Sequence, residues 1–264
     1  MFLLHHTASS QGNLFFLQDP AAGAYEQKGM DPFSSGYNPA SITGFSTPVL
    51  AIAAEKRHII QGFSLASLSF TYPAASGRWN VQTDYFGFEN YAQTKASLTY
   101  ARSVGRVADI GARFYYHQLR IPGYLAAGSF SSDIGMRVIV KPDFIVGWSV
   151  LNPFRLRSGR SNPAELPSLY RFGIGYSPSA QVTIVAEAQV EEDRTPAIVA
   201  GMRYRPVKEF MVRMGVHTGI KSPFLTVVLI SPKCQLSFSF SVHPYLGISS
   251  SLMGAYFFSP VEIK

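Results

Sequence analysis

A single cysteine, Cys234, in 264 residues leaves no internal disulfide to draw and, standing beside the turn Ser231-Pro232-Lys233, no metal cluster. Charge is sparse as well. Asp, Glu, Lys and Arg make up 15% of the chain, where soluble domains carry roughly a quarter. No run of about 18 apolar residues occurs, so a transmembrane helix is excluded on length. The basic surplus gives a net charge of +7 and a pI near 9.5. Its arginines are spread one or two to a segment rather than gathered in a contiguous patch, which argues against nucleic-acid binding. A catalytic constellation is also missing. Ser241 and His243 stand two apart on one alternating stretch and cannot supply nucleophile, base and orienter. The chain therefore reads as a non-enzyme with no cofactor.

What the chain has is apolar content without length: 47% hydrophobic and 14% aromatic residues, cut into short pieces that alternate with period two. From Tyr170 to Tyr176 the even positions are large and apolar while the odd ones are Arg and Gly. Val182 to Val190, Ile198 to Tyr204, Phe210 to Val216 and Leu236 to Val242 repeat the pattern. Alternation with this period is the signature of a strand. A soluble sandwich alternates too, but its polar face meets bulk water and fills with Lys and Glu. Here the polar face carries Ser, Gly, Gln and isolated Arg, the interior of a transmembrane barrel. Fourteen segments follow: 47–56, 63–72, 78–88, 94–103, 107–119, 130–140, 143–152, 168–177, 181–190, 197–205, 209–218, 223–230, 234–243 and 248–258. The predicted fold is an all-β, 14-stranded antiparallel transmembrane barrel over residues 47–258.

The connections test that count. Those after the even-numbered segments are short, mostly with proline, such as Lys141-Pro142 and Ser231-Pro232-Lys233. The alternate ones are generally longer, above all Asn152 to Pro167. An even count puts both termini on the short-turn side, expected to be periplasmic. On the outward parity, Tyr72, Trp79, Tyr100, Phe144, Tyr176, Tyr204, Phe210 and Tyr256 all fall at the segment ends nearest the short turns. They predict one aromatic girdle at a membrane interface.

On the inward parity, Asp109, Arg113 and His117 share one segment and Asp133 with Arg137 the next, placing two arginines within reach of two carboxylates. Such pairs satisfy charge in a barrel interior. Arg171, Arg203, Arg205 and Arg213 predict a basic luminal stripe, with Glu187 on the same face. Asp19, Glu26 and Asp31 upstream are candidate partners for that stripe; anions in an open channel are the other. Arg155, Arg157 and Arg160 in the longest loop are candidates for contact with a partner or a lipopolysaccharide.

Residues 12–46 are irregular, with Pro20, Pro32 and Pro39 and an expected short helix around Ala21 to Met30. Leu14, Phe15, Phe16 and Leu17 call for something to pack against, which predicts an N-terminal luminal plug. Within residues 1–11, Ala8-Ser9-Ser10 before Gln11 has the form of a signal cleavage site; a frayed terminus accounts for the same residues. Residues 259–264 form a periplasmic tail. A lateral gap in the wall, if the lumen conducts, is expected near Pro48, Pro196 or Pro223 at segment starts.

Gly36-Tyr37-Asn38-Pro39-Ala40, directly before the first segment, resembles the Asn-Pro-Ala motif of the FadL-like outer-membrane superfamily. The compact members of that superfamily include the PorV/PorQ-type proteins of Bacteroidetes. The ending Val242-His243-Pro244-Tyr245-Leu246-Gly247-Ile248 is similar to the last hairpin of such proteins. The resemblance implies fourteen strands and a plug motif at Asn38, Pro39 and Ala40. It also implies a location in the bacterial outer membrane among its lipids. For function it implies an accessory in type IX-like export, bound to a larger outer-membrane or lipoprotein partner. The alternative is a passive FadL-like channel for small or hydrophobic solutes.

Overall fold

The computed structural model describes residues 23–27, 31–57, 64–88, 91–121, 127–154, 157–158, 164–165, 168–192, 194–219 and 221–260. Its strands are β1 (Val49–Lys56), β2 (Ser64–Ala74), β3 (Gly77–Phe88), β4 (Tyr91–Val104), β5 (Ala108–Arg120), β6 (Ala127–Lys141) and β7 (Phe144–Leu151). After two-residue strands β8 (Arg157–Ser158) and β9 (Ala164–Glu165) come β10 (Leu169–Tyr176), β11 (Val182–Glu191), β12 (Ala197–Val207) and β13 (Phe210–His217). β14 (Ser222–Ile230), β15 (Cys234–His243) and β16 (Gly247–Phe257) complete the chain. All but β8 and β9 form one closed ring in which each strand pairs antiparallel with its sequence neighbour and β1 closes on β16. The fourteen predicted segments are these fourteen strands.

Closure follows from the alternation. The strands of the ring bury their inward side chains and largely expose the others: in β1, Val49, Ala51, Ala53 and Glu55 are buried while Leu50, Ile52, Ala54 and Lys56 are exposed. The exposed set is apolar around the whole ring, including Ile52, Leu68, Val81, Phe114, Phe130, Ile134, Phe172, Ile198, Leu225 and Leu252. Water does not stabilise so continuous an apolar belt, whereas a bilayer core does. No helix among the described residues is long and apolar enough to cross a membrane; the crossing is made by strands, which satisfy their backbone groups by pairing with both neighbours in a closed ring.

Val49 pairs with Phe257, so the chain enters and leaves the barrel on one rim, the same rim as the short turns. The eight aromatics lie on the outward parity at that rim. Tyr72, Trp79 and Tyr100 form a directly paired row, with Trp79 and Tyr100 ring centroids 4.6 Å apart. Tyr176 pairs with Phe144 at 6.4 Å.

Several expectations are corrected. The turn after β2 is only Ala75 and Ser76, because Pro73 and Ala74 still pair with Arg78 and Gly77. Likewise Pro206 and Val207 belong to β12. In each case proline is the last residue but one of its strand, at the rim, where the ladder is about to end. The described residues 23–27 of the expected Ala21–Met30 helix form a turn, with Gly23 at φ +67°. Two short 3-10 helices, Ser34–Gly36 and Pro39–Gly44, lie downstream instead. The wall shows no gap at the prolines. Pro48 and Pro196 precede β1 and β12, and Pro223 pairs with Val216. The register breaks elsewhere, between Ile139 and Lys141 and between Tyr204 and Val207.

Candidate functional site in the barrel lumen

The inner wall is shaped first by glycines. Gly111 pairs with Gly135 across β5 and β6, and Gly147 with Gly173 across β7 and β10. A side chain at any of them would collide with residues 23–48. At Gly111 a Cβ would stand 2.5 Å from the Pro39 backbone, and at Gly135 it would meet Asn38 Oδ1 and Pro39 Cδ. At Gly147 and Gly173 it would strike the Tyr25 ring, and at Gly175 the Tyr25 carbonyl. These paired glycines make dents, and the N-terminal segment fills them. A third dent, where Gly201 pairs with Gly215 across β12 and β13, is covered by the ring of Phe224 from β14.

Asn38 fixes the segment to the wall. Its Oδ1 accepts from Ala40 N at 3.0 Å, capping the 3-10 helix that Pro39 opens. Its Nδ2 donates to the carbonyls of Met136 and Trp148, on β6 and β7, at 3.1 and 3.3 Å. Ala40 is fully buried. Phe33, Ile42 and Phe45 pack against Ala51, Ala53, Ala101, Met253 and Ala255, inward residues of β1, β4 and β16.

Charge fixes it further. Arg203 Nη1 lies 2.6 Å from Glu26 Oε2, and Arg213 Nη1 lies 3.5 Å from Asp31 Oδ2. Arg171 donates to the carbonyls of Gly36 and Tyr37 at 3.2 and 3.1 Å and stacks over the Tyr37 ring at 5.1 Å. Arg137 donates to the Glu26 carbonyl at 2.6 Å and to Asp109 at 2.8 Å. Tyr25 donates to Glu187, which also accepts from Gln189 at 2.6 Å. Burial first, and the Glu187 charge second, hold the Tyr25 hydroxyl well above its ordinary pKa range, so it remains the donor. Arg113 and Asp133 are direct cross-strand partners joined by two hydrogen bonds, one of 2.7 Å. Buried His117 lies two residues beyond Tyr115 on the inward face of β5, opposite Ser129. Arg205 reaches the Lys208 carbonyl at the rim, 3.0 Å away.

The inward wall is not polar throughout. Ala24, Tyr25, Tyr37 and Val199 form an apolar cluster with Val185 packed against it. Together with Phe224 over Gly201 and Gly215, it draws an apolar strip across β11 to β14. Tyr25, Val185, Val199, Phe224 and the glycine pairs are not among the luminal residues expected from the sequence. The signal available for them was large apolar residues on the inward parity of segments whose outward parity is also apolar.

The backbone of Arg157 lies in β8; Arg155 and Arg160 fall outside the described residues, as do Leu14, Phe15, Phe16, Leu17 and the expected signal remnant 1–11. Among the described residues no group of His, Cys, Asp and Glu could hold a metal ion.

No family model matches the sequence, and no curated protein does. Solved structures match over most of its length. The CymD monoaromatic hydrocarbon channel superposes with a TM-score of 0.65 at 12% identity, over 94% of this chain and 99% of that one. A Pseudomonas aeruginosa FadL homologue gives 0.66 at 8% over 90% and 96%. The Pseudomonas putida toluene transporter TodX gives 0.60 at 9% over 92% and 98%. The chain has the fold of the FadL-type outer-membrane barrels.

Proposed function

We propose that this protein is a passive outer-membrane channel for small hydrophobic solutes, oriented with both termini in the periplasm and with residues 12–46 acting as its luminal plug. The observation that carries the reading is the apolar strip of Val185, Val199 and Phe224 beside the N-terminal segment, set among the luminal ion pairs of Arg171, Arg203 and Arg213. A water-filled pore for polar solutes has no use for such a strip, whereas a hydrophobic solute is desolvated along it. The solved barrels of this fold include a monoaromatic hydrocarbon channel and a toluene transporter, which supports the same solute class here. The accessory role in export, and closeness to the PorV/PorQ-type proteins, gain no support from these likenesses. We therefore favour the channel.

The test is uptake. Cells carrying the barrel in an intact outer membrane should accumulate a radiolabelled monoaromatic hydrocarbon faster than cells with the empty vector, and Phe224→Trp should slow the gain. Uptake at the empty-vector rate from an assembled barrel, with a stoichiometric large outer-membrane or lipoprotein partner on mild-detergent purification, would replace the channel with the accessory.

A further inference from the structure

One register fault lies on the lipid-facing side of the wall. Between Ile139 and Lys141 the ladder of β6 with β7 shifts, leaving Val140 without a partner in the pairing. A bulge of this kind bends a strand and re-aims its side chains. Beside it an outward groove of about 680 Å³ opens at the short-turn rim. It is lined by Val140, Ile174, Ile184 and the small Ala186 together with the rings of Phe144 and Tyr176. The pairings give its direction. Tyr176 pairs with Phe144 and Ile184 near the rim, and Ile174 pairs with Ala186 one step further into the apolar band. Lys141 and Asp143 stand at the mouth, on either side of Pro142. The Asp143 carbonyl accepts from Ser177 N at 2.7 Å, tying the two adjoining turns together.

An apolar slot ending in one cation and one anion is complementary to a molecule with an apolar chain and a zwitterionic head. We propose that this groove holds one phospholipid whose headgroup carries a phosphate and a primary ammonium. Its acyl chain lies over Ile174, Ile184 and Ala186, its phosphate meets Lys141 and its ammonium donates to Asp143. An anionic phospholipid meets Lys141 but is opposed by Asp143. A trimethylated headgroup keeps the positive charge and has no N–H to donate. The inference requires the barrel to sit in a bilayer and does not depend on what crosses the lumen, so it stands or falls separately from the channel reading.

The experiment uses the full chain in nanodiscs of equimolar phosphatidylethanolamine, phosphatidylglycerol and phosphatidylcholine with identical acyl chains. The protein is then transferred to mild detergent, and retained lipid is counted by native mass spectrometry. One phosphatidylethanolamine should stay bound, favoured roughly three- to fivefold over either competitor, the scale of one exposed ionic contact. Asp143→Asn should erase that preference, Lys141→Gln should lower retention of all three, and Ala186→Trp should fill the slot and empty it of lipid. A heat-modifiable band on gels shows that each variant has closed its barrel. Equal retention of the three headgroups, or retention unchanged by Ala186→Trp, would mean annular lipid only and overturn the proposal. A dimer peak that Ala186→Trp abolishes would also overturn it and assign the groove to a second copy.

Discussion

At the scale of single residues, the same residue type has opposite consequences on the two faces of the wall. Gly135 faces inward, where a Cβ would meet Asn38 and stand 2.8 Å from Pro39 Cδ; Gly254 faces the bilayer with nothing within 4 Å. Gly135→Leu must push out the segment or distort the ladder, and overpacking of this kind costs about 1–3 kcal/mol. Gly254→Leu adds a β-compatible side chain to open space in a row that already holds Ile52 and Leu236 and should be neutral or slightly stabilising. Melting of the heat-modifiable gel band separates the two: the inward variant should melt earlier and the outward one should not. Asn38→Ala tests the anchor. It removes the bonds to the Met136 and Trp148 carbonyls and the cap on Ala40, a combined loss of about 3 kcal/mol at the usual net value per bond. Gln, one methylene longer, should fail to rescue it, because the amide would overshoot the carbonyls that fix its position.

At the scale of elements, β12 and β13 present Arg203 and Arg213 directly opposite one another. Like charges in that position repel, and here two carboxylates from the N-terminal segment offset the repulsion. Glu26→Gln with Asp31→Asn leaves the arginines facing each other, mostly buried. The expected cost is about 3–5 kcal/mol, the scale for stranding a buried charge. Adding Arg203→Gln should return part of it, and a urea unfolding series over the three variants measures the coupling. The strands themselves were legible because alternation is a local property; each segment of Tyr170–Tyr176 type announces its two faces unaided. The occupants of the lumen were not. Tyr25 reaches Glu187 across 162 positions of sequence, and nothing local at either residue signals the other. The glycine dents are hidden for the same reason, since only the strand register places Gly111 and Gly135 side by side under Pro39. The inward face of β1, with Ala51 and Ala53 where Ser or Arg would be expected, was a usable sign that an apolar partner lay inside.

At the scale of the whole molecule, the wall and the segment inside it balance each other's charge. Asp133 is matched by Arg113, Asp109 by Arg137, Glu187 by Arg171 and Asp84 by Lys95, all within the wall. Arg203 and Arg213 are matched across the boundary, by Glu26 and Asp31. Deleting residues 12–46 should therefore change both the permeability of the barrel and its preference among ions. In planar bilayers the truncated protein should show stepwise conductance that the full chain lacks. In a KCl gradient its reversal potential should move toward that of chloride, because the uncovered arginines concentrate anions in a low-dielectric passage. Arg203→Gln with Arg213→Gln in the truncated background should cancel the shift while leaving the steps. A truncated barrel that stays ion-tight would show that inward wall side chains close the lumen without the segment. One that conducts with cation preference would show that the charges of Asp84, Asp109, Asp133 and Glu187 dominate the field once the segment is gone.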